Sequence, residues 1–144
     1  MYKVSLAIPI YNVSLFVERA LLSVLNQTYD NIEYLIVDDK GQDDSMDIVH
    51  RIIKDHPRGK DVRIIEHPYN IGLGATRNTA IDNAQGEYLF FMDSDDEIIP
   101  TCIEILVHKM QEHPVDFIAA SHMKKDLSGK TYPTYTYSPI LIQG

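Results

Sequence analysis

Tyr88-Leu89-Phe90-Phe91-Met92 runs straight into Asp93-Ser94-Asp95-Asp96, so five apolar or aromatic residues meet three carboxylates within four positions. An apolar run of that length behind Gly86 predicts a strand buried on both faces. A second run, Glu33-Tyr34-Leu35-Ile36-Val37, also ends in acid, at Asp38-Asp39. In open parallel α/β sheets, ligands bind beyond the carboxyl ends of the strands. Carboxylates there suit a hard divalent cation, which in turn holds phosphate oxygens. Like charges gathered at one edge repel each other unless a cation or hydrogen-bond donors stabilise them. The pattern also fits a solvated acidic loop that merely stops a strand, and a short motif does not separate the two.

Other residues with chemical potential are more easily placed. Gly72-Leu73-Gly74-Ala75-Thr76-Arg77 opens like a dinucleotide fingerprint but lacks the third glycine and precedes the third predicted helix, so it fails as that motif. It reads as a helix entry where glycine allows close packing, or as one that turns Arg77 and a helix N-terminus toward a phosphate or base. His50, His56, His67, His108, His113 and His122 show no i, i+4 pairing and no Cys-x-x-Cys exists, which argues against zinc. Ser23, Ser45 and Ser94 lack a Gly-x-Ser-x-Gly setting, and there is no Walker sequence. Tyr132, Tyr135 and Tyr137 suit strand packing better than stacking on a sugar ring.

Alternating strand and helix patterns must position these groups. Strands are predicted over residues 4–8 (stopped by Pro9), 33–37, 62–65, 88–92 and 115–120. The first helix carries Phe16, Ala20, Leu21, Val24 and Leu25, with Asn12 or Ser14 as its cap. The second follows Asp44 or Ser45 as cap and turns Met46, Val49, Ile52 and Ile53 inward. The third carries Ala75, Ala80, Ile81 and Ala84 and ends at Gly86 in a left-handed cap. The fourth starts near Pro100 with Ile103, Leu106, Val107 and Met110 inside. Such alternation implies βαβ units with right-handed crossovers, hence an α/β fold on a mostly parallel sheet.

A chain of 144 residues fits one domain. The net charge of −8, from 21 acidic and 13 basic residues, argues against nucleic acid as partner and gives no support for docking on an anionic membrane. No apolar run nears the ~20 residues of a membrane span, and the N-terminal run is too short for a signal peptide. The single Cys102 makes no internal disulfide and suits a reducing compartment. A cytoplasmic protein is expected. Residues 123–144 read as an edge hairpin or loop, and the end at Gly144, without a closing helix pattern, suggests a truncated piece.

Taken in order, five segments resemble the N-terminal part of a family 2 glycosyltransferase of the GT-A fold. They are Val4-Ser5-Leu6-Ala7-Ile8-Pro9-Ile10-Tyr11-Asn12, Ser23-Val24-Leu25-Asn26-Gln27-Thr28-Tyr29, Ile36-Val37-Asp38-Asp39, Asn70-Ile71-Gly72-Leu73-Gly74-Ala75-Thr76-Arg77-Asn78, and Gly86-Glu87-Tyr88 through Asp96. No single segment is decisive, but their order and spacing are specific.

The resemblance implies a Rossmann-like GT-A sheet with helices on both faces, cut short at its C-terminal part, with the nucleotide-sugar-binding half over about residues 1–122. It implies an inverting transfer from a nucleotide diphosphate sugar, commonly a UDP-sugar, to a hydroxyl of a saccharide or lipid-linked acceptor, as in polysaccharide biosynthesis. Pro9 and Tyr11 would pack around the nucleobase and Asp39 would hydrogen-bond it. Arg77 would line the base and diphosphate, Asp93 would lie by the ribose and metal-bound waters, and Asp95 would bind Mn²⁺ or Mg²⁺. Asp96 gains no role. The family's catalytic base has no counterpart here, since Asp116 and Asp126 sit in no matching context, so it is expected beyond Gly144. Lys40-Gly41 replaces a small polar pair; Lys40 would alter base recognition or point to solvent. The implied location is cytoplasmic or peripheral to the inner face of a membrane. A donor-binding fragment without turnover is one rival reading. A metal-dependent nucleotidyltransferase is another, although its glycine- and lysine-rich phosphate loop is missing.

Overall fold

The computed structural model describes residues 1–118, 122–126, 128–135 and 141–142. The first of two units, Met1–Cys102, contains β1 (Val4–Ile10), α1 (Val17–Leu25), β2 (Ile32–Asp38), α2 (Ser45–Asp55), a 3-10 turn (Pro57–Asp61), β3 (Val62–Glu66), α3 (Leu73–Asn83) and β4 (Tyr88–Phe91). The four strands form one sheet in the order β3-β2-β1-β4, every neighbouring pair parallel. The alternation of strand and helix thus produces the expected doubly wound α/β architecture. Right-handed crossovers put α1 and α2 on one face and send α3, which crosses in the opposite direction, to the other. Accordingly α1 packs on α2, while α3 packs on β1 and β2.

β1 and β2 are the buried centre, which explains their nearly continuous apolar sequences. Ala7, Leu35, Val37 and Ala80 form one cluster with Ala84 and Leu89 against it, so small side chains let α3 approach the sheet. Thr76 and Ala80 are its buried residues, whereas Ile81, expected inside, is 55% exposed. β4 corrects another expectation. It is one of the two edge strands of the sheet among the described residues, only half-buried, with Phe91 42% exposed. An apolar run reports hydrophobicity, but not how many neighbours the topology supplies.

Pro9 does not end β1, which continues to Ile10. It ends only one of its two ladders. The Ala7 carbonyl accepts the Met92 N–H at 3.0 Å, and the next rung on that side would need an N–H from residue 9. Proline has none. On the other side the Ile10 carbonyl still accepts the Asp39 N–H at 3.0 Å. β4 therefore separates from β1 just where its acids begin, and β2 stays paired up to its own.

Local details differ from the expected caps. Neither Asn12 nor Ser14 caps α1, whose flanking residue is Phe16. Asn12 instead adopts a φ of 50° and its Oδ1 accepts the Gln42 N–H at 2.8 Å. At α2, Asp44 holds the cap position as expected but makes no side-chain cap bond, and the Ser45 N–H goes to Asp43 at 3.0 Å. Gly86 is not in a left-handed cap, since α3 ends on an extended Ala84. It is required by crowding: a Cβ there would stand 2.6 Å from the Lys3 carbonyl oxygen and 2.8 Å from the Ser5 nitrogen.

α4 (Cys102–Glu112) leads into the second unit, burying Ile103, Val107 and Met110. There β5 (Phe117–Ile118) pairs antiparallel with β8 (Leu141–Ile142), and β6 (His122–Lys125) with β7 (Thr131–Tyr135). Tyr132 and Tyr135 fall in β7; Tyr137, Ala119 and Ala120 lie outside the described residues. The run over residues 115–120 was expected to extend the parallel sheet; its described part, β5, ladders antiparallel with β8.

Gly86→Ala tests the crowding. The colliding atoms are backbone, so the substitution should cost about 1–3 kcal/mol of stability in urea unfolding, and an unchanged midpoint would contradict the contact.

Candidate functional site

At the carboxyl edge of the sheet, the exits from β1, β2 and β4 and the start of α3 surround a cleft of about 460 Å³. Pro9, Tyr11, Asp39, Asp93 and Asp95 all line it, together with Asn70, Gly72, Thr76 and Ser94. The strand order reverses between β1 and β4, the switch point at which open α/β sheets bind ligands. Five of the six residues singled out from sequence thus meet in one place. Arg77 is the sixth. It lines, with Pro9, Thr76 and Asp93, a smaller pocket, and is exposed with no ion pair or hydrogen bond among the described residues.

The two acidic strand ends are chemically opposite. Asp39 is 2% exposed, and its carboxylate is fully engaged by the chain. Oδ1 accepts from His67 Nδ1 at 2.8 Å and from the Ile71 N–H at 2.9 Å; Oδ2 accepts from Asn70 Nδ2 at 2.7 Å and from the Gly72 N–H at 3.0 Å. Burial pushes this carboxyl up, but the bonds from His67, Ile71 and Gly72 and the attraction of His67 outweigh burial and hold it below the ordinary carboxylate range. The chain itself supplies the donors that relieve repulsion here. Gly72 takes a φ of 97° and ψ of 168°, a region essentially reserved for glycine, which lets the backbone turn its N–H to Asp39 before α3 begins.

Asp93, Asp95 and Asp96 are exposed instead, each with an oxygen within 4.8 Å of the others. Neither the Asp93 nor the Asp95 carboxylate accepts a hydrogen bond or ion pair among the described residues. Three clustered oxygen donors fit a hard divalent ion such as Mg²⁺ or Mn²⁺. Ser94 between them is buried, which is consistent with a turn that aims its neighbours outward.

Sequence reasoning missed three participants. His67 gave no signal because its partner lies 28 residues away. Asp96 had no assigned role, yet it completes the carboxylate cluster. Thr76, given no role of its own in the Gly72–Arg77 helix entry, lines the cleft. Lys40 is exposed to solvent, as one expectation had it, with its Nζ paired to Glu66 at 2.9 Å and 4.0 Å from Asp38, away from the cleft lining.

The sheet order and the helices on its two faces define the GT-A class of glycosyltransferase fold. The chain belongs to glycosyl transferase family 2, whose model matches residues 5–142. An uncharacterized glycosyltransferase of Haemophilus influenzae is 33% identical over 135 residues, 94% of this chain and 53% of that protein. The Escherichia coli UDP-Glc:alpha-D-GlcNAc-diphosphoundecaprenol beta-1,3-glucosyltransferase WfaP is 37% identical over 129 residues, 88% of this chain and 49% of WfaP. Among solved structures, S. aureus TarS 1-349 in complex with UDP-GlcNAc matches with a TM-score of 0.77 at 27% identity, covering 92% of this chain and 37% of that one. The chain spans about half or less of the length of these relatives.

The depressed Asp39 carboxyl predicts acid sensitivity. Its contribution is complete above the unfolded-state value of about 3.9 and is lost as pH falls through the lower folded-state value. Asp39→Asn should therefore lower stability at neutral pH and flatten the acid limb of a stability-against-pH curve; an acid limb identical to that of the unaltered chain would contradict this role.

Proposed function

We propose that this chain is the donor-binding part of an inverting glycosyltransferase that takes a nucleotide diphosphate sugar, in the first instance a UDP-sugar, with Mn²⁺ or Mg²⁺. The observation that carries the reading is the convergence of Pro9, Tyr11, Asp39, Asp93 and Asp95 on one cleft at the sheet's switch point. Pro9 and the exposed Tyr11 ring offer a surface for the nucleobase. Asp39, which the resemblance implied would hydrogen-bond the base, has both oxygens taken by the chain's own donors, and we assign it instead to ordering the cleft edge against which that base lies. Arg77, which lines a pocket with Asp93 and has no ion pair among the described residues, is assigned to the diphosphate. We assign Asp93 to the ribose and metal-bound waters, Asp95 to the metal, and Asp96, clustered with them, to a further oxygen donor.

When bound, the metal supplies Lewis-acid neutralisation of the leaving nucleoside diphosphate. An acceptor hydroxyl attacks the anomeric carbon as a carboxylate base takes its proton. We assign that base to the part of the relatives this chain does not span. A saccharide or lipid-linked acceptor and a role in polysaccharide synthesis follow by analogy with WfaP, whose name specifies a diphosphoundecaprenol-linked acceptor. No helix among the described residues is long and apolar enough to cross a membrane, and we propose a cytoplasmic location, at the inner membrane face where such an acceptor is presented.

Calorimetric titration of UDP with and without Mn²⁺ tests the reading. Mn²⁺ should tighten UDP on the order of tenfold, and Asp95→Ala should remove that enhancement; an enhancement that survives Asp95→Ala overturns the metal assignment. Sugar transfer by this chain alone should be feeble, and robust turnover would overturn the placement of the base.

A further inference from the structure

The segment Ser23 to Tyr29 lies within the region the family model matches, yet none of its residues lines the cleft. It reaches the site at second hand. Gln27 is 2% exposed and sits just beyond α1, whose Val24 and Leu25 belong to the core. Its side-chain nitrogen carries two hydrogens, and both are used. One meets the Ser23 carbonyl at 2.9 Å and the other the Ile99 carbonyl at 2.8 Å. Both partners are acceptors, so the amide can face them only with its nitrogen. Two neighbours add bonds to the same stretch. The Thr28 N–H donates to the Pro100 carbonyl at 2.8 Å, and the Ile98 N–H donates more loosely to Ser23 Oγ at 3.3 Å. Ile99 is 63% exposed and Pro100 is exposed too, so their backbone, not burial of their side chains, ties this stretch down.

Residues 98–100 closely follow the acidic turn. At the turn's other end the Met92 N–H is bonded to the Ala7 carbonyl of β1 at 3.0 Å, and within it the Asp96 N–H reaches the Asp93 carbonyl at 3.1 Å. The Asp93 and Asp95 carboxylates have no protein partner among the described residues, so their spacing depends on the backbone that carries them. We propose that Gln27 is a positioning residue for these acids, clamping residues 98–100 to the end of α1 so that the turn gathers its three carboxylates around one divalent ion. Without the clamp the chain after Asp96 loses this tie to α1, the like charges spread apart, and the ion is held less tightly. The consequence for the ion rests on the proposed metal site; the clamp itself does not.

Two readouts separate the two claims. Gln27→Met keeps the volume of the buried side chain and removes both donated bonds. Hydrogen exchange followed by NMR should show the Thr28, Asp96 and Ile98 amides accelerated by more than those of β1 and β2. Mn²⁺ affinity, read by electron paramagnetic resonance with UDP present, should fall about tenfold, while UDP binding without metal stays the same. Ser23→Ala, which suits a helix and removes only the acceptor of the Ile98 N–H, should shift both readouts the same way by less. Val49→Ala, a core truncation on α2 outside the cleft and the clamp, controls for lost stability and should leave Mn²⁺ affinity unchanged. Unaltered Mn²⁺ affinity in both clamp variants, an equal loss in Val49→Ala, or turn amides accelerated no more than those of the sheet would each overturn the proposal. Failure of the unaltered chain to bind Mn²⁺, with the exchange signature intact, would instead overturn the metal reading and leave the clamp standing.

Discussion

A buried carboxylate must be satisfied or it destabilises the fold, and Asp39 is satisfied four times over. Its donors come from the segment joining β3 to α3, residues 67–72, so one side chain at the end of β2 fixes where that segment runs and where α3 starts. α3 then packs its small residues on β1 and β2 and carries Arg77 and Thr76 to the cleft. Removing the acid would leave two backbone N–H groups, an amide and a histidine without their shared acceptor. That is why the cleft's shape depends on this residue more than on any apolar contact around it.

The same sheet edge carries acids in two conditions, and the contrast separates structure from function. Asp39 spends its charge inside the protein. Asp93 and Asp95 leave theirs exposed and without protein partners among the described residues. Pro9 produces the difference in part. By withholding one N–H it stops the β1–β4 ladder after Ala7 and releases the chain into the acidic turn, while β1 and β2 stay paired through Ile10 and Asp38. A single residue type thus gives the cleft one rigid wall and one open one.

Much of this was legible in the sequence, because strand and helix periodicity and the apolar-then-acid junctions are local signals. The parallel sheet and its order of elements followed from them, whereas the meeting of Pro9, Tyr11, Asp39, Asp93 and Asp95 in one place was what the resemblance to family 2 glycosyltransferases implied. The rest depends on partners far apart in the chain. His67 looked like an unpaired histidine because Asp39 is brought to it only by the β2–β3 pairing. Gly86 looked like a helix cap, but Lys3 and Ser5, more than 80 residues earlier, are what exclude a side chain there. Phe90 and Phe91 read as core because an edge position is a property of topology. Lys40 is the solvent residue it read as, but its partner Glu66 comes from β3 and was invisible in the local sequence.

On the proposed reading the open acids hold a metal and the closed acid does not. A crystal of this chain grown with UDP and Mn²⁺, with diffraction collected at the manganese edge, tests it most directly. The account predicts one anomalous peak among Asp93, Asp95 and Asp96, with the uracil over Pro9 and Tyr11 and the Asp39 bonds to His67, Ile71 and Gly72 intact. A peak at Asp38-Asp39, or nucleotide bound away from the cleft, would contradict it.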